Sequence, residues 1–332
     1  MIESSAMHCP VCDGRRFKSG PIMFDDRYGE PNRYQLACCI DCGHLSTSPR
    51  LQESELPNLY GNYYPRKNIE VKQILVDAKK FQTPFGKLRR WWSGTDNQGQ
   101  YNLQPFERML DVGCGSGTSL LEAKAIGGDA YGIEADPNVR PIADALDLNI
   151  HFGRLQDQPF KQLDFHLIVL NQVIEHLPDP DEALCLLRKR LKPGGRMILV
   201  FPNIDSLWRR VSGKRWINWH IPYHLHHFNK PRFERMAKRC GLEMTSCRTI
   251  TPNVWTVQQI RACYQPAKLG HPNRIWSVTS PSVSVEALHH TSSRKALLRA
   301  FIMTPIALLN RVIDGFRMGD SLLVELRHHS TP

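Results

Sequence analysis

Apolar side chains follow two alternating patterns through the middle of the chain. Short, dense apolar runs are separated by segments in which apolar residues return every three or four positions. The dense runs predict buried strands, and the three-to-four spacing predicts amphipathic helices. The predicted strands lie near residues 108–112, 129–134, 149–152, 164–170 and 196–201. The predicted helices between them lie near residues 117–126, 137–146 and 180–191.

Alternation of strand and helix predicts an α/β fold with a Rossmann-like, mostly parallel sheet and helices on both faces. Two later runs, Leu242 to Ile250 and Gly319 to Arg327, predict further strands. Between them, at about 251–318, we predict an insertion that ends in an apolar helical stripe over 296–318. Such a helix packs on the core or on a second copy, or it lies on a membrane surface.

Two Cys-x-x-Cys pairs lie near the start of the chain, Cys9-Pro-Val-Cys12 and Cys39-Ile-Asp-Cys42. Four thiolates with this spacing predict a closed, tetrahedral structural zinc site. A segment this short buries little apolar area, so bound metal would supply much of its folding energy. Two further residues are alternative ligands, Cys38 and His44.

These patterns divide the chain into three predicted parts. A zinc-binding module covers residues 1–66, a helical lead-in and linker covers 67–104, and the α/β domain covers 105–332. The net charge of +11 lies mainly in residues 205–332, which carry 19 basic and 7 acidic side chains. This excess favours an anionic partner, such as a nucleotide-linked sugar, RNA or acidic lipid, or is simply a solvated basic face.

The first residues lack a basic start followed by an apolar run, and no apolar run approaches the ~20 residues that span a bilayer. Clustered thiols indicate a reducing compartment. We therefore expect a cytoplasmic protein, whose membrane contact, if any, is peripheral and made by the 296–318 helix.

A glycine-rich turn, Asp111-Val-Gly-Cys-Gly-Ser-Gly117, joins the first predicted strand to the next helix. Glycines permit positive backbone dihedrals and let a ligand approach the main chain closely. A dinucleotide fingerprint needs a third glycine at position 118, where this chain has Thr118. The turn therefore predicts a ligand-binding loop and disfavours a nicotinamide oxidoreductase.

The segment from Asp111 to Gly117 resembles motif I of the class I S-adenosylmethionine-dependent methyltransferases. Three later segments resemble further motifs of that family in the same order: Tyr131-Gly-Ile-Glu-Ala-Asp136, Leu163 to Leu177, and Leu191 to Pro202. The resemblance implies a seven-stranded sheet with an antiparallel last strand, and S-adenosylmethionine as the methyl donor.

Glu134 follows Asp111 by 23 residues, at the predicted end of the second strand, where a carboxylate can accept hydrogen bonds from both ribose hydroxyls. The resemblance implies that Asp111 helps to hold the methionine amino group and that Leu155 packs near adenine. The carbonyl of Asn171 would lie near that amine. The complete set of predicted cofactor-binding residues is Asp111, Gly113, Gly115, Gly117, Glu134, Ala135, Leu155 and Asn171.

The acceptor site is predicted in the loop after the fifth strand, which carries histidines and tryptophans from Trp216 to Phe228. Its segment His224-Leu-His-His-Phe228 resembles one in zinc-containing sugar methyltransferases. We predict His224 as the general base, with Tyr223 and His176 as catalytic neighbours. Two alternatives remain open: His224 caps the next helix, or its His-x-His spacing with His226 binds a second metal.

The predicted function is methyl transfer from S-adenosylmethionine to a small molecule or glycan in a sugar, polysaccharide or secondary-metabolite pathway. The chain lacks the Asn/Asp-Pro-Pro-Tyr/Phe segment that is common in enzymes that methylate nucleic-acid amines, so a nucleic-acid partner is disfavoured. The rivals are an RNA methyltransferase that grips phosphates with the zinc module and the basic last third, and a non-catalytic cofactor-binding scaffold. An oligomer is compatible with either.

Overall fold

The computed structural model of the protein describes residues 8–51, 55–63, 72, 75–76, 83–95, 103–276 and 293–329. The strands are β1 (Phe17–Phe24), β2 (Arg33–Cys39), β3 (Leu45–Ser48), β4 (Arg108–Val112), β5 (Asp129–Glu134), β6 (Asn149–Phe152), β7 (Phe165–Asn171), β8 (Leu191–Pro202), β9 (His226–His227), β10 (Leu242–Ile250) and β11 (Ser321–His328). The α-helices are α1 (Leu56–Asn62), α2 (Pro84–Ser93), α3 (Thr118–Ala125), α4 (Arg140–Ala145), α5 (Pro180–Arg188), α6 (Leu207–Ser212), α7 (Lys230–Arg239), α8 (Asn253–Tyr264) and α9 (Ser293–Gly315).

Seven strands form one sheet in the order β6-β5-β4-β7-β8-β11-β10. Strands β4 to β8 pair in parallel, whereas β11 runs antiparallel to both of its neighbours. The predicted mostly parallel sheet with an antiparallel last strand is therefore confirmed. The chain passes outward from β4 to β6 and then returns to place β7 on the other side of β4. In open α/β sheets, ligands bind at the carboxyl ends of the strands where the order reverses in this way.

Both faces of this sheet are covered, which explains the dense apolar runs of its strands. Along β7, Ile168 and Leu170 face one hydrophobic cluster, whereas Leu167 and Val169 face another. Helices α5 and α7 pack in the first cluster and α3 in the second. The helix predicted over 137–146 instead begins with a 3₁₀ turn, Pro137–Val139, and β8 starts five residues before the predicted strand.

A second, four-stranded antiparallel sheet has the order β1-β2-β3-β9. Its last strand comes from the loop that follows β8: Leu45 pairs with His227, and Ser46 pairs with His226. The Thr47 amide also donates to the Leu225 carbonyl over 2.9 Å. The N-terminal segment and the loop before β9 therefore share one continuous sheet, which crosses the boundary that we predict at residue 66.

The insertion between β10 and β11 contains α8 and α9. On α9, Ala307, Asn310 and Ile313 are buried, whereas Val312 is 56% exposed. The predicted apolar stripe is thus divided between the core and the solvent, and contact of its outer half with a membrane remains a prediction. None of the helices in the described ranges is long and apolar enough to cross a bilayer.

Candidate functional site

The glycine-rich turn between β4 and α3 has three glycines in the left-handed region of the backbone map. Their φ values are 71° at Gly113, 54° at Gly115 and 75° at Gly117. A Cβ at Gly113 would lie 2.5 Å from Val173 Cγ2, and one at Gly117 would lie 2.4 Å from Leu148 Cδ1. A Cβ at Gly115 would meet no atom within 4 Å. Packing therefore requires glycine at the two outer positions, whereas Gly115 faces open space beside the main chain.

The carboxylate of Glu134 lies against this turn at the end of β5. One oxygen accepts a hydrogen bond from the Gly115 amide over 2.8 Å, and the other accepts one from the Asp136 amide over 2.9 Å. Each carboxylate oxygen can accept a further hydrogen bond. Glu134 is therefore held in place next to the open space at Gly115, with capacity left for the hydroxyls of a ribose.

Asp111 lies beneath the turn on β4 and is 5% exposed. The Ser119 hydroxyl donates to one carboxylate oxygen, and the other has no hydrogen-bond partner among the described residues. Burial and the nearby Glu134 charge together raise the pKa of Asp111 to about 7. The Ser119 hydrogen bond acts in the opposite direction. A buried carboxylate with a spare oxygen suits a cationic ligand, such as the ammonium group of S-adenosylmethionine.

The other predicted cofactor residues follow the carboxyl ends of neighbouring strands. Ala135 is exposed directly after Glu134, and Asn171 ends β7. Leu155 is buried in a 3₁₀ turn that follows β6. The parallel sheet therefore brings the whole predicted set to one edge, and the donor set fits S-adenosylmethionine in charge and hydrogen-bonding capacity.

The four cysteines predicted as metal ligands lie together in the N-terminal segment. The Sγ atoms of Cys9 and Cys42 are 3.5 Å apart, and those of Cys12 and Cys39 are 3.6 Å apart. All four Sγ atoms lie within 4.8 Å of one another. Thiolates around tetrahedral zinc are about 3.8 Å apart, given a Zn–S bond near 2.3 Å. Burial raises the pKa of Cys9 and raises that of Cys42 to about 11, so a cation would stabilise these two groups as thiolates. The cluster fits Zn²⁺.

The two alternative zinc ligands lie elsewhere. The Cys38 Sγ is directed to the Cys39 carbonyl oxygen at 3.7 Å, and the His44 Nε2 lies 3.2 Å from the His226 Nδ1. Substitution of either for one of the four thiolates is therefore wrong, because successive strand residues point to opposite faces and His44 is engaged with β9.

A second polar cluster lies next to the glycine turn, where a 3₁₀ turn, Ile174–His176, meets the loop before β9. The His224 Nδ1 is 2.9 Å from the Asn218 carbonyl oxygen, and the His176 Nδ1 is 3.0 Å from the Tyr223 carbonyl oxygen. Since a carbonyl only accepts, each Nδ1 carries the hydrogen and each Nε2 has the lone pair. Two histidines predicted as catalytic are therefore brought together, with their ring centroids 4.7 Å apart.

Glu175 is buried beside these imidazoles, with 1% of its surface exposed. One carboxylate oxygen lies 4.0 Å from the His224 Nε2, and neither oxygen has a hydrogen-bond partner among the described residues. Burial raises the pKa of Glu175 to about 8 and lowers the pKa of His176 to about 4. Burial also lowers the pKa of His224 well below its usual value. The pocket therefore favours neutral side chains when it contains no ligand.

The structure excludes the two alternatives for the histidine-rich loop in the form that the sequence suggests. Helix α7 is capped by the Asn229 side chain, which accepts from the Arg232 amide over 3.2 Å, so His224 is not the cap. The His226 ring instead donates from Nε2 to the Pro178 carbonyl and lies beside His44. His224 lies with Glu175 and His176 whereas His226 lies beside His44, so their His-x-His spacing does not chelate one ion.

Two tyrosines from the N-terminal segment contact this cluster. The Tyr60 hydroxyl lies 3.0 Å from the His176 Nδ1, and its ring centroid is 5.4 Å from that of Tyr223. The Tyr28 ring also lies 5.4 Å from Tyr223. The tyrosine-rich stretch around Tyr60 is compatible in sequence with a pocket wall or with a contact between domains, of which the second is the preferred interpretation, and nothing in the sequence connects Tyr28 with this loop.

The tryptophans of the loop pack in the same hydrophobic cluster as Tyr223 and hold the loop in place. Trp216 is fully buried, and its indole donates to Asp320 over 3.0 Å. The Trp219 indole donates to the Gly213 carbonyl over 2.9 Å. Both indoles are therefore engaged within the loop and its surroundings.

Comparison with known proteins identifies the class. Residues 85–247 match the family described as Methyltransferase domain. A ubiquinone biosynthesis O-methyltransferase of Cereibacter sphaeroides is 29% identical over 136 residues, which cover 38% of this chain and 55% of that protein. A ribosomal protein L11 methyltransferase of Ralstonia nicotianae is 35% identical over 105 residues, which cover 30% of this chain and 34% of that protein.

These similarities support an S-adenosylmethionine-dependent methyltransferase domain in this chain. It spans about half the length of the first curated relatives that it matches. Among solved structures, a SAM dependent methyltransferase from Archaeoglobus fulgidus is similar, with a TM-score of 0.42 and 17% identity over 76% of this chain and 93% of that one.

Proposed function

We propose that this protein transfers a methyl group from S-adenosylmethionine to a small-molecule or glycan acceptor, and that its four-cysteine cluster holds a structural zinc ion. One observation carries the proposal. The cradle formed by Asp111, Gly115 and Glu134 opens at the same sheet edge as a buried pocket of imidazoles and phenols.

On the donor side, the chain's own groups do three things. Glu134 accepts hydrogen bonds from the ribose, Asp111 attracts the ammonium group, and Gly115 leaves room for the ligand against the main chain. When bound, S-adenosylmethionine supplies an electrophilic methyl group. Most of the rate acceleration would come from holding the acceptor in line with that methyl group.

On the acceptor side, the pocket is built for a small group. Its walls come from the N-terminal segment, the turn after β7 and the loop before β9. Burial keeps the imidazoles neutral, so each ring retains a lone pair that can accept a hydrogen bond from an acceptor hydroxyl. We assign His224 as the proton acceptor in the metal-free pocket, with His176 and Tyr223 positioning the acceptor beside it.

The relatives agree on methyl transfer and differ in what their names say of the acceptor. One is named for ubiquinone biosynthesis and another for a ribosomal protein. We favour the first kind, because Glu175, Tyr223 and His224 are buried and a small molecule reaches buried groups more readily than a folded protein does. A sugar hydroxyl fits the same chemistry.

The zinc module would affect the reaction only by holding other residues in place, without contact between zinc and the substrate. Four thiolates leave no open coordination position. The module nevertheless supplies Tyr28 and β3, and the Thr47 hydroxyl donates to the His224 carbonyl over 2.7 Å. Zinc would thus stabilise one wall of the acceptor pocket.

The experiment combines calorimetry with isotope transfer. We expect purified, zinc-replete protein to bind S-adenosylmethionine, and to move a deuterated methyl group from it into the low-mass or glycan fraction of an extract from the native host. Mass spectrometry would identify the labelled product. Label found in RNA would contradict the proposed acceptor class, and absence of binding would contradict the proposed activity as a whole.

A further inference from the structure

The side chains of Glu175, His176 and His224 converge in the acceptor pocket. One carboxylate oxygen and one nitrogen of each imidazole all lie within 4.8 Å of one another. We propose that these three residues bind a divalent transition-metal ion, separate from the four-cysteine site, and that the ion receives an oxygen atom of the methyl acceptor. The role given to the ion rests on the proposed function, whereas its binding does not.

The buried carboxylate of Glu175 is the first argument for a cation. It is 1% exposed, and neither oxygen has a hydrogen-bond partner among the described residues. A buried polar group without a partner costs free energy, and a buried charge costs much more unless it is paired or binds a metal. A cation between Glu175 and the two imidazoles would remove that cost.

The orientation of both imidazoles is the second argument. His224 donates from Nδ1 to the Asn218 carbonyl over 2.9 Å, and His176 does so to the Tyr223 carbonyl over 3.0 Å. Metal-binding histidines usually donate their other ring N–H to a carbonyl or carboxylate, which fixes the ring and its tautomer. The His224 Nε2 lone pair is thus on the side of Glu175, whose Oε1 lies 4.0 Å away.

The backbone also holds the two ligand segments together before any ion binds. The Leu225 amide donates to the Glu175 carbonyl over 2.8 Å, so the residues next to His224 are attached to the turn that carries Glu175 and His176. The His220 Nδ1 lies 3.3 Å from the His224 Nε2, and an ion would replace that contact.

The ligand atoms must move closer together to hold an ion, since they are known to lie only within 4.8 Å of one another. The His224 Nε2 and the Glu175 Oε1 are 4.0 Å apart, whereas two ligands of a tetrahedral ion are about 3.4 Å apart, given metal–ligand bonds near 2.1 Å. Two imidazoles and one carboxylate suit Zn²⁺, Fe²⁺, Mn²⁺ or Co²⁺, and three protein ligands leave at least one position open.

The open coordination position would be filled by the methyl acceptor. The acceptor should therefore carry a hydroxyl group, or two neighbouring oxygen atoms, that can bind the ion. A hydroxyl bound to the ion would lose its proton to solvent more readily, as water does on Zn²⁺. The resulting oxyanion would attack the methyl group of the donor, and the sulfonium would become a thioether. In the metal-loaded pocket, the ion therefore takes over from His224 the task of making the hydroxyl nucleophilic.

The test is metal content, measured on the full chain without donor or acceptor. Metal-free protein is reconstituted with Zn²⁺, and separately with Mn²⁺, Fe²⁺ or Co²⁺ after zinc has filled the cysteine site, and mass spectrometry counts the ions retained. We expect a second equivalent in wild type and its loss in Glu175→Gln. This loss should exceed the roughly 10–100-fold that removal of an outer-shell partner costs. Glu182→Gln, an exposed glutamate on α5, is the matched control and should retain the second ion.

Cobalt provides a second readout that does not depend on a variant. Co²⁺ in the second site should show weak visible bands without the thiolate charge-transfer band of a cysteine site. A wild-type protein that binds S-adenosylmethionine and retains only the cysteine-site ion under every condition would overturn the metal site while leaving the proposed function intact. Retention of the second ion by a Glu175→Gln, His176→Gln double variant would overturn the ligand assignment.

Discussion

The donor and acceptor halves of the site lie at one edge of the same sheet but are built in different ways. The donor cradle comes from one short turn and the strand beside it, because Asp111 to Gly117 and Glu134 all belong to β4, β5 and their connection. The acceptor pocket combines Tyr28, Tyr60 and residues of two later loops. A local motif therefore fixes the donor half, whereas tertiary packing alone creates the acceptor half.

The two halves also differ in their exposure to water. Glu134 is partly exposed and accepts two backbone hydrogen bonds, whereas Glu175 is fully enclosed and accepts none from the described residues. Loss of one group from the donor half should therefore weaken the binding of S-adenosylmethionine alone. Loss of the module that encloses the acceptor half should remove the reaction.

The largest effect is expected from Cys39→Ser. Loss of a thiolate should release zinc and unfold the N-terminal sheet, because metal binding supplies about 10 kcal/mol or more in such modules. Methyl transfer should fall to background, whereas calorimetry should detect S-adenosylmethionine binding of nearly unchanged affinity. The control is Cys38→Ser, whose thiol is directed away from the cluster, and it should retain zinc. Full turnover by zinc-free Cys39→Ser would show that the acceptor half does not depend on the zinc module.

Glu134→Gln should produce the next largest effect, on the donor half alone. The amide replaces a charged acceptor, and a hydrogen bond to a charged group contributes about 1.5–3 kcal/mol, so affinity for S-adenosylmethionine should fall about 10- to 100-fold. Calorimetry measures the change. Asp129→Asn, at the opposite end of the same strand, should bind like wild type. Equal loss in both variants would indicate damage to β5 and not to a ribose contact.

Sequence reasoning was most successful where a site is local. The alternation of apolar residues predicts the seven strands, and the turn from Asp111 to Gly117 is predicted in place, because each feature depends on neighbours within a few residues. The predicted acceptor loop contains His224, but the orientation of the His224 ring depends on its contacts with the Asn218 carbonyl and with Glu175. Tyr28 and Glu175 are separated by more than a hundred residues, and only the folded chain brings their loops together.

A third, smaller effect concerns pH and the carboxyl group of Asp111. Its pKa is raised to about 7 in the free protein, so the group is mostly protonated below that pH. A cationic ligand binds better to the ionised form, so affinity for S-adenosylmethionine should rise as pH rises to about 7 and then level off. Below pH 7 the loss should approach tenfold per pH unit. Calorimetry across that range should show the slope in wild type and a flat profile in Asp111→Asn.

The smallest effect comes from one methyl group at Gly115, and it separates folding from binding. Gly115 and Gly127 both have positive φ, 54° and 82°, and an added Cβ at either position meets no atom within 4 Å. Alanine at either site should therefore lower the free energy of unfolding by about 1–2 kcal/mol through backbone strain alone. Only Gly115→Ala should also weaken the binding of S-adenosylmethionine, because the alanine methyl group would occupy the space beside Glu134. Thermal unfolding and calorimetry on both variants measure the two quantities. If Gly115→Ala binds as well as Gly127→Ala, the open space beside Gly115 is not where the donor lies, and the donor half would have to be assigned to another part of the sheet edge.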